Sequence, residues 1–490
     1  MTGKSQLFVR QSTGLVREAS ALDATIFNAV FSAPVGATLA WGVFFALSAF
    51  PGSDLIWATI ISFLINIPVL VMMSLLASSM PRTGGDYVWV SRILSPPLAL
   101  VSNFGAALSA TIGATFWARY FPVFALGPIL ATLGVIFDNE ALVTWGHNFQ
   151  DQAGHPLWIF AGAMVMVVLM GAILIAGLRT TFRWQNAFWI TASVGTFVAF
   201  LVLLLGSNQA FVDNFNALNA KFGGGTASDV IAAAGTAGAQ PNAGDLNATL
   251  PSIFVVMTFM MWNWWSVYLS GELKTAANRG RQMKIMFGAL AWDVIFICLG
   301  VILLFRVTGY DFMAAVNTGG EAVAGALRIP TSPWYHFVAS LVFNVPILTI
   351  VIVGSFLFWS LPAMVGNTFM PIRTWFAWAF DRLLPERLAE VDERTHSPIW
   401  AILFELVLIT LMLVWSILST DFQTWLALGV LAGGRGRGGA SAPTTRGCPS
   451  TSRRARSGRC RARRAARARR RRTGPPCARP RRAATVRGRA

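Results

Sequence analysis

Of 490 residues, 55% are hydrophobic and 12% charged, about half the 25% charged share of an ordinary soluble domain. This excludes a water-soluble globular chain and indicates a polytopic membrane protein. The net charge of +18 is not a property of the body: 20 of the 39 basic residues are arginines within 435–490, so residues 1–434 hold 19 basic against 21 acidic side chains.

Residues 1–21 form a polar amino-terminal segment carrying Lys4, Arg10 and Arg17, and the apolar run after it is too long for a signal peptide's core, so it is expected to stay as span 1. That run, 24–49, is uncharged and holds Ser32, Ala33, Pro34, Val35 and Gly36 near its middle. Pro34 lacks an amide hydrogen and Gly36 permits backbone angles that other residues avoid, so helical hydrogen bonding is expected to lapse there. At membrane depth freed backbone groups are tolerated where they line a cavity, as in the broken helices of secondary transporters. A proline kink in an ordinary span is the simpler reading of the same residues.

Span 2 is expected at 55–79, followed by the polar segment 81–92 and by span 3 at 97–118. An apolar piece at 120–137, interrupted by Pro122, Gly127 and Pro128, reads as interfacial or re-entrant. Spans 4 and 5 fall at 157–178 and 187–206, and 207–249 is an extracytoplasmic loop rich in Gly, Ala and Asn. Spans 6 to 9 are 250–270, 285–305, 336–362 and 399–418, and a tenth begins at Phe422 and stops near Ala432. With the amino terminus inside, fifteen lysines and arginines of the body fall on the inner side and four (Arg119, Lys221, Arg306, Arg328) on the outer, the asymmetry expected of a cytoplasmic amino terminus.

The tail, 433–490, has no apolar periodicity and is expected to be disordered. It reads either as an arm for nucleic acid or anionic lipid, or as an out-of-frame translation of a GC-rich gene. The second is preferred because the change of composition cuts a span at half its required length, and no nucleic-acid partner is expected. A chain lacking most of span 10 is expected to be poorly stable or inactive.

No enzyme constellation is visible: His147, His155, His336 and His396 have no paired-ligand spacing, no metal site is indicated, and the glycines at 223–225 read as flexible loop. Cys448, Cys460 and Cys477 lie in the tail and Cys298 alone in a span, so there is no disulfide framework. Intramembrane carboxylates carry more information. Asp293 in span 7 and Glu405 in span 9 cost several kcal/mol unless paired or hydrated, so each is a proton-coupling candidate or a neutral, hydrogen-bonded structural acid. Trp262, Asn263, Trp264, Trp265 and Tyr268 concentrate aromatic faces and one amide in span 6, either lining a cavity or marking packing and the interface.

Three segments together resemble the amino acid-polyamine-organocation superfamily of permeases. The first is Pro81 to Phe104, with Gly84, Gly85 and Tyr87 in a Pro-x-x-Gly-Gly-x-Tyr core; the second is Ser270 to Lys284, with Glu272 and Lys274. The third, Arg373 to Ala401, carries Arg373, Asp381, Arg382 and Pro385 and is read as cytoplasmic. The resemblance implies an all-α fold of two inverted five-span repeats, 22–206 and 250–432, the second incomplete at span 10. It implies substrate held between broken spans 1 and 6, by Ala33, Pro34, Val35, Gly36, Ala37 and Thr38 on one side and Trp262, Asn263 and Trp264 on the other. The chain departs from the pattern in keeping only Gly36 of a glycine-rich break, in placing Trp262 where glycine is usual, and in lacking a lysine in span 5. The implied activity is alternating-access transport of an amino acid or related amine across the cell membrane, with a proton as candidate coupling ion and no cofactor. A membrane sensor or scaffold built on the same fold is the rival.

Overall fold

The computed structural model describes residues 15, 17–31, 38–40, 42–239, 242–331 and 333–419. Among them the fold is all-helical, with no strand and one isolated backbone bridge between Ala19 and Leu273. The helices are α1 (Ala21–Phe31), α2 (Phe45–Ala49), α3 (Leu55–Ser79), α4 (Asp86–Ile93), α5 (Pro96–Tyr120), α6 (Gly127–Ile136), α7 (Glu140–Gln150), α8 (Pro156–Ile175) and α9 (Leu178–Leu205). They continue as α10 (Asn208–Lys221), α11 (Ala227–Gly235), α12 (Leu246–Met260), α13 (Arg279–Thr308), α14 (Tyr310–Thr318), α15 (Tyr335–Leu341), α16 (Pro346–Ser355), α17 (Ser360–Phe380) and α18 (Ile399–Leu418). Among the described residues, eight helical stretches are long and apolar enough to cross a membrane, and α1 is a shorter apolar helix.

Spans 2 and 9 coincide with α3 and α18, whose outer faces keep large apolar side chains such as Leu64, Leu411 and Leu418 exposed for lipid. Lipid tails give no hydrophobic drive between helices, so association depends on close packing at small residues. Accordingly a Cβ on Gly195 of α9 would collide with Ser355 of α16, and one on Gly113 of α5 with the Asn367 amide of α17.

Three expectations change. The piece at 120–137 is not separate from span 3: α5 runs through a π-helical turn, Phe121–Leu126, straight into α6, giving 41 continuous helical residues. At 1.5 Å per residue that is about 60 Å, twice the roughly 30 Å hydrocarbon core, and the chain turns back after it so that α7 packs on α6. The segment 207–249 is not merely a loop. Ser207 and Thr226 cap α10 and α11, and Phe211 and Phe215, one turn apart, pack edge-on against Phe312 of α14 with ring centroids 5.1 and 5.0 Å away. Span 8 is displaced as well: α15 stands apart, and the crossing runs from Pro346 through a 3-10 turn at Phe356–Trp359 to Phe380. Residues 373–380, expected in a cytoplasmic connection, are therefore helical. The stretch from Phe422 and the whole tail lie outside the described residues.

The three motif segments converge at one end of the bundle. Gly84 and Gly85 both have positive φ (+104° and +50°), and a Cβ on Gly85 would stand 2.8 Å from the Tyr268 ring, so the segment can lie flat on the exit of span 6 only without a side chain there. The Tyr268 hydroxyl donates to Asp86 Oδ1 at 2.6 Å, as does the Asn103 amide at 2.9 Å, yet burial still raises the Asp86 carboxyl above its usual range. Tyr87 donates to Asp381 Oδ2 at 3.0 Å, and burial together with that carboxylate pushes its phenol up to about 12. Lys274 contributes its backbone: its N–H donates to the Ala19 carbonyl at 3.1 Å while the Ala19 N–H donates to the Glu272 carbonyl at 3.1 Å. The Lys274 side chain is exposed, as are Arg382, which takes φ +62° in the turn after α17, and Pro385, which precedes a short 3-10 turn.

Glu272 and Arg373 form a buried two-pronged pair, Nε to Oε1 at 2.7 Å and an Nη to Oε2 at 2.8 Å, with the guanidinium 4.1 Å from the centroid of the Phe369 ring. Burial raises the Glu272 carboxyl, and Arg373 offsets this only in part. Removing one partner of such a pair costs about 3–5 kcal/mol, whereas apolar replacement of both is close to neutral. Arg373→Met should therefore lower the thermal midpoint of the detergent-solubilised protein sharply, and Glu272→Met with Arg373→Met should recover most of the loss. The unpaired Glu272 would have a folded-state pKa raised further, which favours the folded state in acid and penalises it as pH rises. The deficit of the single variant should thus be largest at neutral pH and shrink on acidification; a pH-independent deficit would contradict the assignment.

Candidate functional site

Span 6 stops being an α-helix in mid-course. α12 ends at Met260, residues 261–264 turn, and the chain resumes as a 3-10 helix at Trp265–Leu269. The last carbonyls of an α-helix lack intrahelical partners, and here indole groups supply two: Trp262 Nε1 donates to the Thr258 carbonyl at 2.7 Å and Trp264 Nε1 to the Met261 carbonyl at 2.9 Å. Downstream the backbone tightens to three-residue spacing, with the Trp265 N–H donating to the Trp262 carbonyl at 3.2 Å.

The turn is tied to two other spans. Asn28 of α1 is fully buried; its Oδ1 accepts the Ser266 N–H at 2.8 Å and its Nδ2 donates to the Ser266 hydroxyl at 3.0 Å. Asn263, also fully buried, donates from Nδ2 to Asp293 Oδ2 in the middle of α13 at 2.5 Å. Trp262 and Trp264 are half-buried, and Trp265 packs edge-on against Trp262 and Tyr268 at centroid distances of 5.3 and 5.8 Å.

Of the sequence-derived site residues, the structure joins Asn263 to Asp293, with Trp262 and Trp264 flanking Asn263 in the same turn. Thr38 is buried beyond α1, and its carbonyl accepts the Val43 N–H at 2.8 Å where the chain re-enters a wide helical turn. Ala33, Pro34, Val35, Gly36 and Ala37 lie outside the described residues. Glu405 is elsewhere: it is buried in α18, where Trp375 Nε1 of α17 donates to its Oε2 at 2.8 Å and the Thr111 hydroxyl of α5 also reaches it. Asn28 and Ser266 went unread in the sequence, although a lone amide in an apolar run one to two turns before Pro34 was a visible signal. No cluster of His, Cys, Asp and Glu able to hold a metal occurs among the described residues.

No curated protein sequence matches the chain. Among solved structures, the crystal structure of MhsT in complex with L-phenylalanine superposes with a TM-score of 0.52 at 13% identity, covering 83% of this chain and 85% of that one. Identity that low speaks for the fold alone, a helical transporter fold. The amino acid permease family profile matches residues 24–433, from the first residues of α1 to beyond α18. The protein is a multi-pass membrane transporter, and it belongs to the amino acid permease family.

Proposed function

We propose that this protein moves an amino acid or related amine across the cell membrane by alternating access, with its amino terminus in the cytoplasm and a proton as the coupled ion. The observation that carries the reading is the Asn263–Asp293 contact, which joins the only acid of α13 to the irregular turn of span 6. An amino acid's carboxylate and amine would be met by the backbone of Ala33 to Thr38, and its side chain by Trp262, Asn263 and Trp264. The MhsT complex, which holds L-phenylalanine, supports an amino acid as cargo.

The chemistry depends on charge. An amide donating to a carboxylate makes a hydrogen bond worth about 1.5–3 kcal/mol, against about 0.5–1.5 kcal/mol for a neutral partner. Protonating Asp293 therefore weakens its hold on Asn263 by about 1 kcal/mol, a roughly fivefold shift in any equilibrium that moves the 261–264 turn. Reversing a two-state balance from 1:99 to 99:1 takes about 5.5 kcal/mol. The remainder has to come from burying or hydrating the charge itself, which costs several kcal/mol. Coupling then consists of a proton arriving at Asp293, release of the turn, and a change in which end of the substrate cavity is open. Glu405, held between α5, α17 and α18, fits a hydrogen-bonded structural acid rather than a second coupling group. Spans 1 to 5 and 6 to 10 as inverted repeats fit the same scheme, with spans 1 and 6 as the matching elements.

Uptake of labelled amino acids into proteoliposomes under an imposed pH gradient tests the reading. Asp293→Asn should abolish gradient-driven uptake while preserving most exchange of internal for external substrate; unchanged pH dependence would remove Asp293 from the mechanism. Gly36→Leu should eliminate substrate binding while leaving membrane insertion intact. Normal affinity in that variant would reduce span 1 to a kinked helix. Saturable binding with no flux in the wild type would favour a sensor.

A further inference from the structure

Between the 81–92 segment and the last turn of α17 lies a recess of about 380 Å3, bordered by Arg17, Arg82, Arg92, Tyr87, Phe380 and Asp381. The lining carries three arginines and one aspartate, a formal charge of +2, and the Asp381 carboxylate already accepts the Tyr87 hydroxyl at 3.0 Å. Arg17 and Arg92 are exposed and form no ion pair or hydrogen bond among the described residues. The recess is therefore built for an anion.

What adjoins it is apolar. Arg92 is followed by Ile93 and Leu94, 58% and 66% exposed, and then by Leu98, Val101 and Phe104 on α5 at 49%, 71% and 51%. This strip leads from the charged recess along a membrane-spanning helix. A free amino acid carries an amine that would need a carboxylate of its own, and the recess offers only one, already engaged. A diester phosphate offers two oxygens suited to guanidinium forks, and basic pockets at the ends of membrane helices take such headgroups. We propose that the recess binds the phosphate of an anionic glycerophospholipid, whose acyl chains lie along Ile93, Leu94, Leu98, Val101 and Phe104. Its occupant would bridge the 81–92 segment to the end of α17.

The test uses the full chain in detergent, with phosphatidylglycerol, phosphatidylcholine and inorganic phosphate as separate probes and bound lipid counted by native mass spectrometry. Arg17→Gln with Arg92→Gln should weaken phosphatidylglycerol binding on the order of 30-fold, about fivefold for each arginine near an anionic surface. Phosphatidylcholine binding should be unchanged. The exposed pair Arg279→Gln with Arg281→Gln, outside the recess, should leave phosphatidylglycerol binding intact. An equal loss in both double variants would mean diffuse surface charge and would overturn the site, as would no loss in either. Displacement of the lipid by inorganic phosphate at similar concentration would make it a soluble-anion site, and displacement by a transported amino acid would make it part of the substrate path. Either result would also overturn the lipid assignment.

Discussion

Backbone groups that leave the helical ladder at membrane depth have no water to turn to, and each unsatisfied one costs several kcal/mol. The interrupted course of span 6 depends on how that demand is met. Asn28 takes the Ser266 N–H from across the bundle, and two indoles take carbonyls at the end of α12. These contacts fix where the helix stops, which in turn puts Asn263 within reach of Asp293. The indoles satisfy their own neighbourhood, so two buried amides bind this stretch to other spans: Asn28 joins it to α1 through Ser266, and Asn263 joins it to α13 through Asp293.

At the other end of the bundle the constraint is different. The Glu272–Arg373 pair, the Tyr268–Asp86–Asn103 set and the Tyr87–Asp381 bond connect the 81–92 segment, the exit of span 6 and the end of α17. Buried ion pairs are weak evidence for stability, since desolvation consumes most of their attraction. Their geometry is the informative part. Two parallel N–H bonds from a flat guanidinium hold Glu272 in one orientation, and Glu272 sits in the same short stretch whose backbone bridges Ala19. The amino-terminal segment, span 6 and α17 are thus registered against one another at a point below the irregular turn.

Much of this was legible in the chain. Spans facing lipid must be apolar without interruption, so α3 and α18 could be bounded almost to the residue. Helix lying beyond the bilayer has no such signature: α9 begins at Leu178, nine residues before its uncharged run, because Arg179 and Arg183 can continue a helix in water. The pair Phe211 and Phe215 is one turn apart but sits in a Gly-, Ala- and Asn-rich stretch that reads as loop by composition. Asp293 was visible as a costly charge, but its partner thirty residues away was not, and Asn28 lies 238 residues from Ser266. The motif glycines were recognisable as a pair, while the reason for them, the Tyr268 ring lying against Gly85, requires the fold. Arg373 resembled part of a cytoplasmic motif and proved to be inside a helix because its charge is neutralised there.

The π-helical turn at Phe121–Leu126 has an effect on everything beyond it. A π turn closes its hydrogen bonds over five residues instead of four, and each residue inserted into an α-helix rotates the downstream turns by about 100°. The phase of α6 is therefore offset from that of α5, and no single stripe can be drawn down the 41-residue helix. Below the offset, α5 turns Gly113 toward Asn367 and Thr111 toward Glu405; above it, α6 turns Thr132 toward Thr331, hydroxyl to hydroxyl at 3.1 Å. One continuous rod thus serves two differently oriented surroundings, and a deletion of one residue in the turn would bring the upper half back into phase with the lower and out of register with its neighbours.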